Sequence, residues 1–127
     1  MIPTQCGGCE LPGVTWCSRC AEALRDSPVR LEPRVEVGVD AWALGRYRGA
    51  HRSALIAMKE HGRRDLVEAL GDALAAGLLT LANWGEIPDD HTLTLVPAPT
   101  RAASARRRGG DPVAAIARVT AARLGPR

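Results

Sequence analysis

The sequence predicts a mixed α/β protein with a small metal-binding module at its N-terminus. Three observations lead to this fold class. Four cysteines fall within the first 20 residues, leucines recur at helical spacing between Leu66 and Leu81, and the apolar run Leu93–Val96 precedes clear signals for a helix start. With 127 residues, the chain has room for one ordinary domain, or for a small module beside a modest one.

The cysteines form two C-x2-C pairs separated by seven residues: Cys6, Cys9, Cys17 and Cys20. Two such pairs bring four thiolates to one tetrahedral ion, so the spacing predicts a Zn²⁺ site. Two disulfides and a thioredoxin-like redox pair are the alternatives. A reducing compartment disfavours the first, and the lack of a surrounding βαβ pattern disfavours the second. Because all four predicted ligands are thiolates, we expect a closed structural site that supplies folding free energy.

The residue pattern after the cysteines changes from that of a linker to that of a strand and then to that of a helix. Residues 26–40 contain two prolines and alternate apolar with charged side chains, which predicts a linker that becomes extended near Val35–Val39. Ala41–Tyr47 then has the pattern of a strand, and Arg52–Glu60 that of a helix. The sequence thus predicts three parts: a zinc-binding knuckle at 1–25, a linker at 26–40, and an α/β domain at 41–127.

A second helix is predicted after a break at Gly62. Asp65 and Glu68 resemble a capping box that starts this helix, which we expect to run to about Ala82. Its leucines recur at helical spacing and predict a buried stripe: Leu66, Leu70, Leu74, Leu78 and Leu81.

A basic cluster surrounds that helix break: Lys59, His61, Arg63 and Arg64. Two interpretations stay open. The cluster is either a solvated helix end or a second contact for an anion, with Lys59 as the candidate ligand-binding residue.

The last third of the chain reads as one βα unit. Leu93–Val96 is predicted to be a buried strand that Pro97 and Pro99 terminate. Asp111 suits the N-cap of a helix that runs from Pro112 to about Leu124 and stops at Gly125-Pro126.

The loop between that strand and that helix is rich in arginine and glycine: Arg101, Arg106, Arg107, Arg108, Gly109 and Gly110. Guanidinium groups and glycine N–H groups near a helix start favour phosphate oxygens. The loop is therefore the candidate site for an anionic ligand.

The charge distribution also favours an anionic ligand at the C-terminal end of the chain. Residues 1–45 contain four basic and six acidic side chains, a net charge of −2, whereas residues 101–127 contain seven arginines against one aspartate, a net charge of +6. A phosphorylated small molecule or a nucleic acid is the expected partner. An arginine-rich surface without a ligand is the alternative, because 16 Arg against one Lys also suggests a compositional bias.

The sequence shows no signal-peptide pattern and no apolar run near the roughly 20 residues that span a membrane. We therefore expect a cytoplasmic protein, in which thiols stay reduced.

Several motifs in this order resemble the N-terminal half of ComF/GntX-family proteins. They are the four-cysteine knuckle, Tyr47-Arg48-Gly49 before a helix, Lys59 with Gly62-Arg63 at its end, Leu95-Val96-Pro97 with Pro99, and Arg108-Gly109. The resemblance covers nearly all of the chain. It implies a type I phosphoribosyltransferase-like fold, a site for 5-phosphoribosyl-1-pyrophosphate (PRPP) with Mg²⁺, and a role in DNA uptake during natural competence.

The sequence departs from the phosphoribosyltransferase pattern at one important point. The acidic pair followed by a Thr-Thr-Gly loop, which binds PRPP in such enzymes, is absent, and Asp89-Asp90 precedes His91-Thr92 instead. We therefore expect an incomplete sheet, a truncated chain and weak or no transferase activity from this chain alone. The alternative is a non-catalytic, zinc-stabilised module that binds single-stranded DNA or docks a DNA-uptake protein.

Overall fold

The computed structural model describes residues 4–36, 38–88, 92–99 and 111–125. These residues form a mixed arrangement of helices and one small sheet. In chain order the elements are helix α1 (Ser18–Ala23), strands β1 (Val29–Leu31) and β2 (Ala41–Ala43), and helices α2 (Gly49–Glu60), α3 (Leu66–Asn83) and α4 (Pro112–Leu124).

The small sheet is an antiparallel pair. Strands β1 and β2 align so that Arg30 faces Trp42, and the Trp42 ring lies 6.0 Å from the ring of Trp84 at the end of α3. The predicted strand at 41–47 is thus confined to its first three residues. The predicted linker at 26–40 contains strand β1, while Val35 and Val39 lie outside both strands and are mostly exposed.

Helix α2 begins at Gly49, three residues before the predicted start, and ends at Glu60. Gly62 follows with φ of 64°, in the left-handed region where glycine carries no Cβ penalty. The predicted capping box at Asp65 is wrong. Asp65 is itself helical in φ and ψ and makes no side-chain cap, because its carboxylate binds the guanidinium of Arg63 instead.

Helix α3 is the central helix of the described chain, but leucines do not form its whole buried face. Leu66 and Leu81 are fully buried, whereas Leu70, Leu74 and Leu78 are only partly so. Small residues are buried instead, and they let neighbouring elements approach closely. A Cβ on Gly71 would lie 2.4 Å from Val119 of α4, and one on Gly77 would lie 2.5 Å from Leu44 beyond β2. The spacing of leucines alone therefore misplaced part of the interface.

Helix α4 confirms its predicted bounds. The carboxylate of Asp111 accepts hydrogen bonds from the N–H groups of Val113 and Ala114, at 3.0 and 3.3 Å. The helix packs along α3, where the fully buried hydroxyl of Thr120 donates to the carbonyl oxygen of Ile116 in its own helix at 2.8 Å and lies 3.3 Å from that of Gly71. Capping residues, which act locally, predicted this element correctly.

The predicted buried strand at Leu93–Val96 is wrong. Residues 92–99 have no regular secondary structure, and Leu93 and Val96 are 47% and 83% exposed. No strand in the described chain lies beside this segment to take its backbone hydrogen bonds, and Pro97 and Pro99 have no N–H to offer. The described part of the chain is thus mixed α/β, and the phosphoribosyltransferase-like fold stays a prediction.

A tryptophan connects the N-terminal segment to the helices. Trp16 packs against the buried cysteines and also against the cluster formed by Ala54, Ala57 and Leu66. The knuckle therefore shares apolar contacts with α2 and α3, while the predicted three-part division stays a prediction.

Helix α3 is long and apolar enough to cross a membrane by length and composition alone, with a mean hydropathy of 1.3. This is weak evidence for a span, because the core helix of a soluble protein passes the same test. A third of this apolar window, 33%, is buried in the structure, where Gly71 and Gly77 pack closely against their neighbours.

Candidate metal centre

Backbone hydrogen bonds fold the N-terminal segment into a tight double turn. Gln5 and Pro12 form an isolated antiparallel bridge, and the N–H of Cys6 donates to the carbonyl of Leu11 at 2.9 Å. The first cysteine pair lies on the turn inside this bridge. Glu10 closes that turn with φ of 66°, an uncommon conformation for a residue other than glycine.

The second cysteine pair lies at the start of a helix. Cys17 is the N-cap residue of α1, and Cys20 lies within its first turn. The two C-x2-C pairs therefore come from different local structures, a turn and a helix start, which face each other across the segment 10–16.

The four cysteines converge on one point. Their Sγ atoms all lie within 4.8 Å of one another, and those of Cys9 and Cys17 are 3.6 Å apart. An ion about 2.3 Å from four tetrahedrally placed sulfurs requires about 3.8 Å between them. None of the four is in a disulfide, and three are buried while Cys9 is exposed. The arrangement confirms a cysteine cluster that a metal ion fits.

Backbone N–H groups point at one of these sulfurs. Cys6 Sγ accepts hydrogen bonds from the N–H groups of Gly8 at 3.4 Å and Cys17 at 3.3 Å. Burial raises the pKa of the Cys6 thiol, but hydrogen bonds, the largest from the Cys9 backbone, lower it to about 6. The turn therefore stabilises a thiolate, the form that binds metal.

The surroundings of the Cys20 thiol oppose its ionisation. Burial raises the pKa of the Cys20 thiol, and hydrogen bonds with the other cysteines and the charge of Cys6 raise it further. Four thiolates at this separation repel one another unless a cation neutralises them. The cluster is thus chemically suited to hold a divalent ion in its centre.

The donor set limits what such an ion can do. Four protein sulfurs complete a tetrahedron and leave no position for water or substrate, which is typical of structural sites. Within the described ranges, no other group of three or more histidine, cysteine or carboxylate side chains lies close enough to bind a metal. The arrangement therefore favours a stabilising role over catalysis.

The members of the basic cluster around Gly62 have different environments in the structure. Lys59 is exposed in the last turn of α2, and His61 and Arg63 line an open cleft of about 970 Å³ between the knuckle and α2. Arg63 is bound to Asp65 and also contacts the knuckle backbone. Sequence reasoning missed this contact because it joins residues more than 45 positions apart, and only the Gly62 break before Arg63 hinted at a reversal of the chain.

The candidate anion loop lies outside the described residues: Arg101, Arg106, Arg107, Arg108, Gly109 and Gly110. Only its C-terminal boundary is described. There the carboxylate of Asp111 occupies two N–H groups at the start of α4. These two N–H groups are therefore already hydrogen-bonded to a carboxylate.

Comparison with protein-family models, with curated proteins and with solved structures finds no match to this chain.

Proposed function

We propose that Cys6, Cys9, Cys17 and Cys20 bind one structural Zn²⁺ ion that stabilises the N-terminal knuckle on helices α2 and α3. The convergence of four Sγ atoms within 4.8 Å carries this proposal. Zinc suits an all-thiolate tetrahedron because it needs no redox chemistry and tolerates the geometry without strain. Iron also accepts four thiolates, so the test has to identify the ion.

The first experiment measures metal content in protein purified under reducing conditions. We expect one zinc per chain by inductively coupled plasma mass spectrometry, and a colourless protein. A strong chelator should lower the melting temperature measured by circular dichroism, because structural zinc typically contributes about 10–16 kcal/mol of apparent binding free energy.

Matched variants locate the site. Cys6→Ser and Cys20→Ser should lose the metal and melt at a lower temperature. Ser18→Ala, an exposed change between the ligands Cys17 and Cys20, should retain both. Absence of zinc from the wild-type protein, or equal zinc in Cys20→Ser, would contradict the proposal, and visible absorption from iron would identify a different centre.

We further propose that the protein has a ComF-like function, in which the arginine and glycine loop binds PRPP or pyrophosphate with Mg²⁺. The order of the sequence motifs and the net charge of +6 over residues 101–127 support this proposal. Arginine forks would neutralise the pyrophosphate, while the zinc knuckle would act as scaffold. No nucleophile or general base is assigned, and we expect weak or no transfer activity from this chain alone.

Isothermal titration calorimetry with PRPP, with and without Mg²⁺, tests this function directly. The variant with Arg106, Arg107 and Arg108 changed to Gln should lose binding. The exposed Arg118 on α4 provides the control, and Arg118→Gln should bind normally. Equal binding by the two variants would exclude the loop as the site.

The alternative is a non-catalytic, zinc-stabilised module that binds nucleic acid or docks a partner protein in DNA uptake. The same basic segment favours it. Single-stranded DNA should then bind without Mg²⁺, and the logarithm of its affinity should fall linearly with the logarithm of salt concentration, by about 0.7 for each phosphate neutralised. If PRPP with Mg²⁺ binds and displaces the DNA, the ComF-like function is favoured instead.

A further inference from the structure

We propose that Arg63 is a positioning residue of the metal centre, which holds the two cysteine loops together and couples metal binding to the packing of α2 and α3. This inference rests on the proposed metal site. It gives Arg63 a role that neither a solvated helix end nor an anion contact would require.

The end of α2 directs Arg63 at the knuckle. Ala57 accepts hydrogen bonds from the N–H groups of both His61 and Arg63, each at 3.1 Å, so the chain reverses around Gly62. With φ of 64°, Gly62 makes this reversal without the steric cost that a Cβ would add. The side chain of Arg63 therefore leaves the helix end and meets the N-terminal segment.

One guanidinium nitrogen bridges both loops that supply the sulfurs. Nη2 of Arg63 donates to the carbonyl oxygen of Gln5 at 3.1 Å and to that of Thr15 at 3.3 Å. Gln5 directly precedes Cys6, and Thr15 lies two residues before Cys17. The carbonyl of Thr15 also accepts the N–H of Gly7 at 3.1 Å. The guanidinium and this backbone hydrogen bond thus both hold the first cysteine pair beside the second.

Asp65 holds the guanidinium in this position. Its two carboxylate oxygens accept hydrogen bonds from Nε of Arg63 at 3.0 Å and from Nη2 at 2.8 Å. This two-point contact restricts rotation of the guanidinium group. The Arg63 side chain is only 26% exposed. The oxygens that Nε and Nη2 contact in the described chain belong to Gln5, Thr15 and Asp65, so the guanidinium is held against the knuckle.

Charge gives Arg63 a second effect on the same centre. A divalent ion with four thiolates carries a net charge of −2, and a partly buried guanidinium nearby stabilises that charge. Leu66, three residues after Arg63, packs against the turn as well, since a Cβ on Gly7 would lie 2.5 Å from its Cδ1. Polar and apolar contacts between the helices and the knuckle therefore meet at the start of α3.

The test compares zinc affinities in the full chain by competition with a chromophoric chelator. Arg63→Gln should bind zinc about 10- to 100-fold more weakly, the usual range for residues that orient metal ligands. Arg63→Lys keeps the charge and one donor, so it should recover part of the loss. Arg118→Gln removes the same charge from an exposed position on α4 and should bind as the wild type does.

A further variant separates the bridge to the knuckle from the ion pair. Asp65→Asn leaves the charge of Arg63 and its carbonyl contacts in place, so its loss of affinity should be smaller than that of Arg63→Gln. Circular dichroism at saturating zinc verifies that each variant is folded when loaded. An equal loss in Asp65→Asn, or wild-type affinity in Arg63→Gln, would overturn the inference. Absence of zinc from the wild type would instead refute the metal site itself.

Discussion

A methyl group added at Gly8 tests the geometry of the cysteine cluster most directly. An ideal Cβ there would lie 2.5 Å from Cys20 Sγ, 3.0 Å from Cys20 Cβ and 3.2 Å from a ring carbon of Trp16. Comfortable contacts need roughly 3.5–4.0 Å, so the sulfur has to move by about 1 Å. Gly8 does not have a positive φ, so Gly8→Ala adds this clash without backbone strain.

The displaced atom has nowhere to go while it binds metal. Cys20 is 5% exposed and lies within α1, and metal–ligand distances tolerate changes of only about 0.2 Å. Overpacking of this kind costs about 1–3 kcal/mol. If release of the metal relieves that strain, the zinc affinity of Gly8→Ala should fall by about 5- to 150-fold.

The assay is chelator competition for zinc, supported by cobalt substitution, in which sulfur-to-cobalt charge-transfer bands report the coordination. Gly7→Ala is the matched control. Its Cβ would lie 2.5 Å from Cδ1 and 2.9 Å from Cδ2 of the buried Leu66, so the clash falls on apolar packing and not on a sulfur of the cluster. Affinity should therefore fall less than in Gly8→Ala. Wild-type affinity in Gly8→Ala would refute the packing of Cys20 against this turn.

Three further predictions concern the helices and their ion pair. The Arg63 hydrogen bonds hold the pKa of Asp65 below its ordinary value, so ionised Asp65 stabilises the fold above about pH 4, and this stability is lost as pH falls through the lowered pKa. Arg63→Gln should return that pKa towards normal in an NMR titration, and an unchanged value would contradict the pairing. Asp111→Ala should lower the free energy of unfolding in urea by about 0.5–2 kcal/mol, whereas Asp111→Ser should retain most of it. Gly71→Ala should cost about 1–3 kcal/mol because its Cβ would lie 2.4 Å from Val119 Cγ1. In the double variant with Val119→Ala, the loss of unfolding free energy should be smaller than the sum of the losses in the two single variants. A loss equal to that sum would contradict the contact.

The sequence predicts features that depend on near neighbours. Cys6 to Cys20 span one short segment, so their spacing was enough to predict the cluster. Asp111 and Pro112 act within one helical turn and predicted α4 correctly.

Features that depend on distant neighbours were not predicted. Arg63 meets Gln5 across 58 positions, and nothing local distinguishes it from a solvated arginine. Apolar residues at Leu93–Val96 have strand propensity, but a strand also needs a partner, which the described chain does not place there. Asp65 has the residue type of a cap, yet both of its carboxylate oxygens accept hydrogen bonds from Arg63, and its side chain makes no cap on α3.

The position of Trp16 has a consequence for solubility. Because this ring lies between the cysteine cluster and the cluster of Ala54, Ala57 and Leu66, the knuckle covers apolar surface that belongs to the helices. Leu66 is fully buried under it. If the proposed metal is lost, the knuckle should uncover an apolar surface on α2 and α3, and aggregation of the chain should increase. Under the proposed zinc site, the supply of zinc during synthesis would then determine how much of the protein escapes self-association.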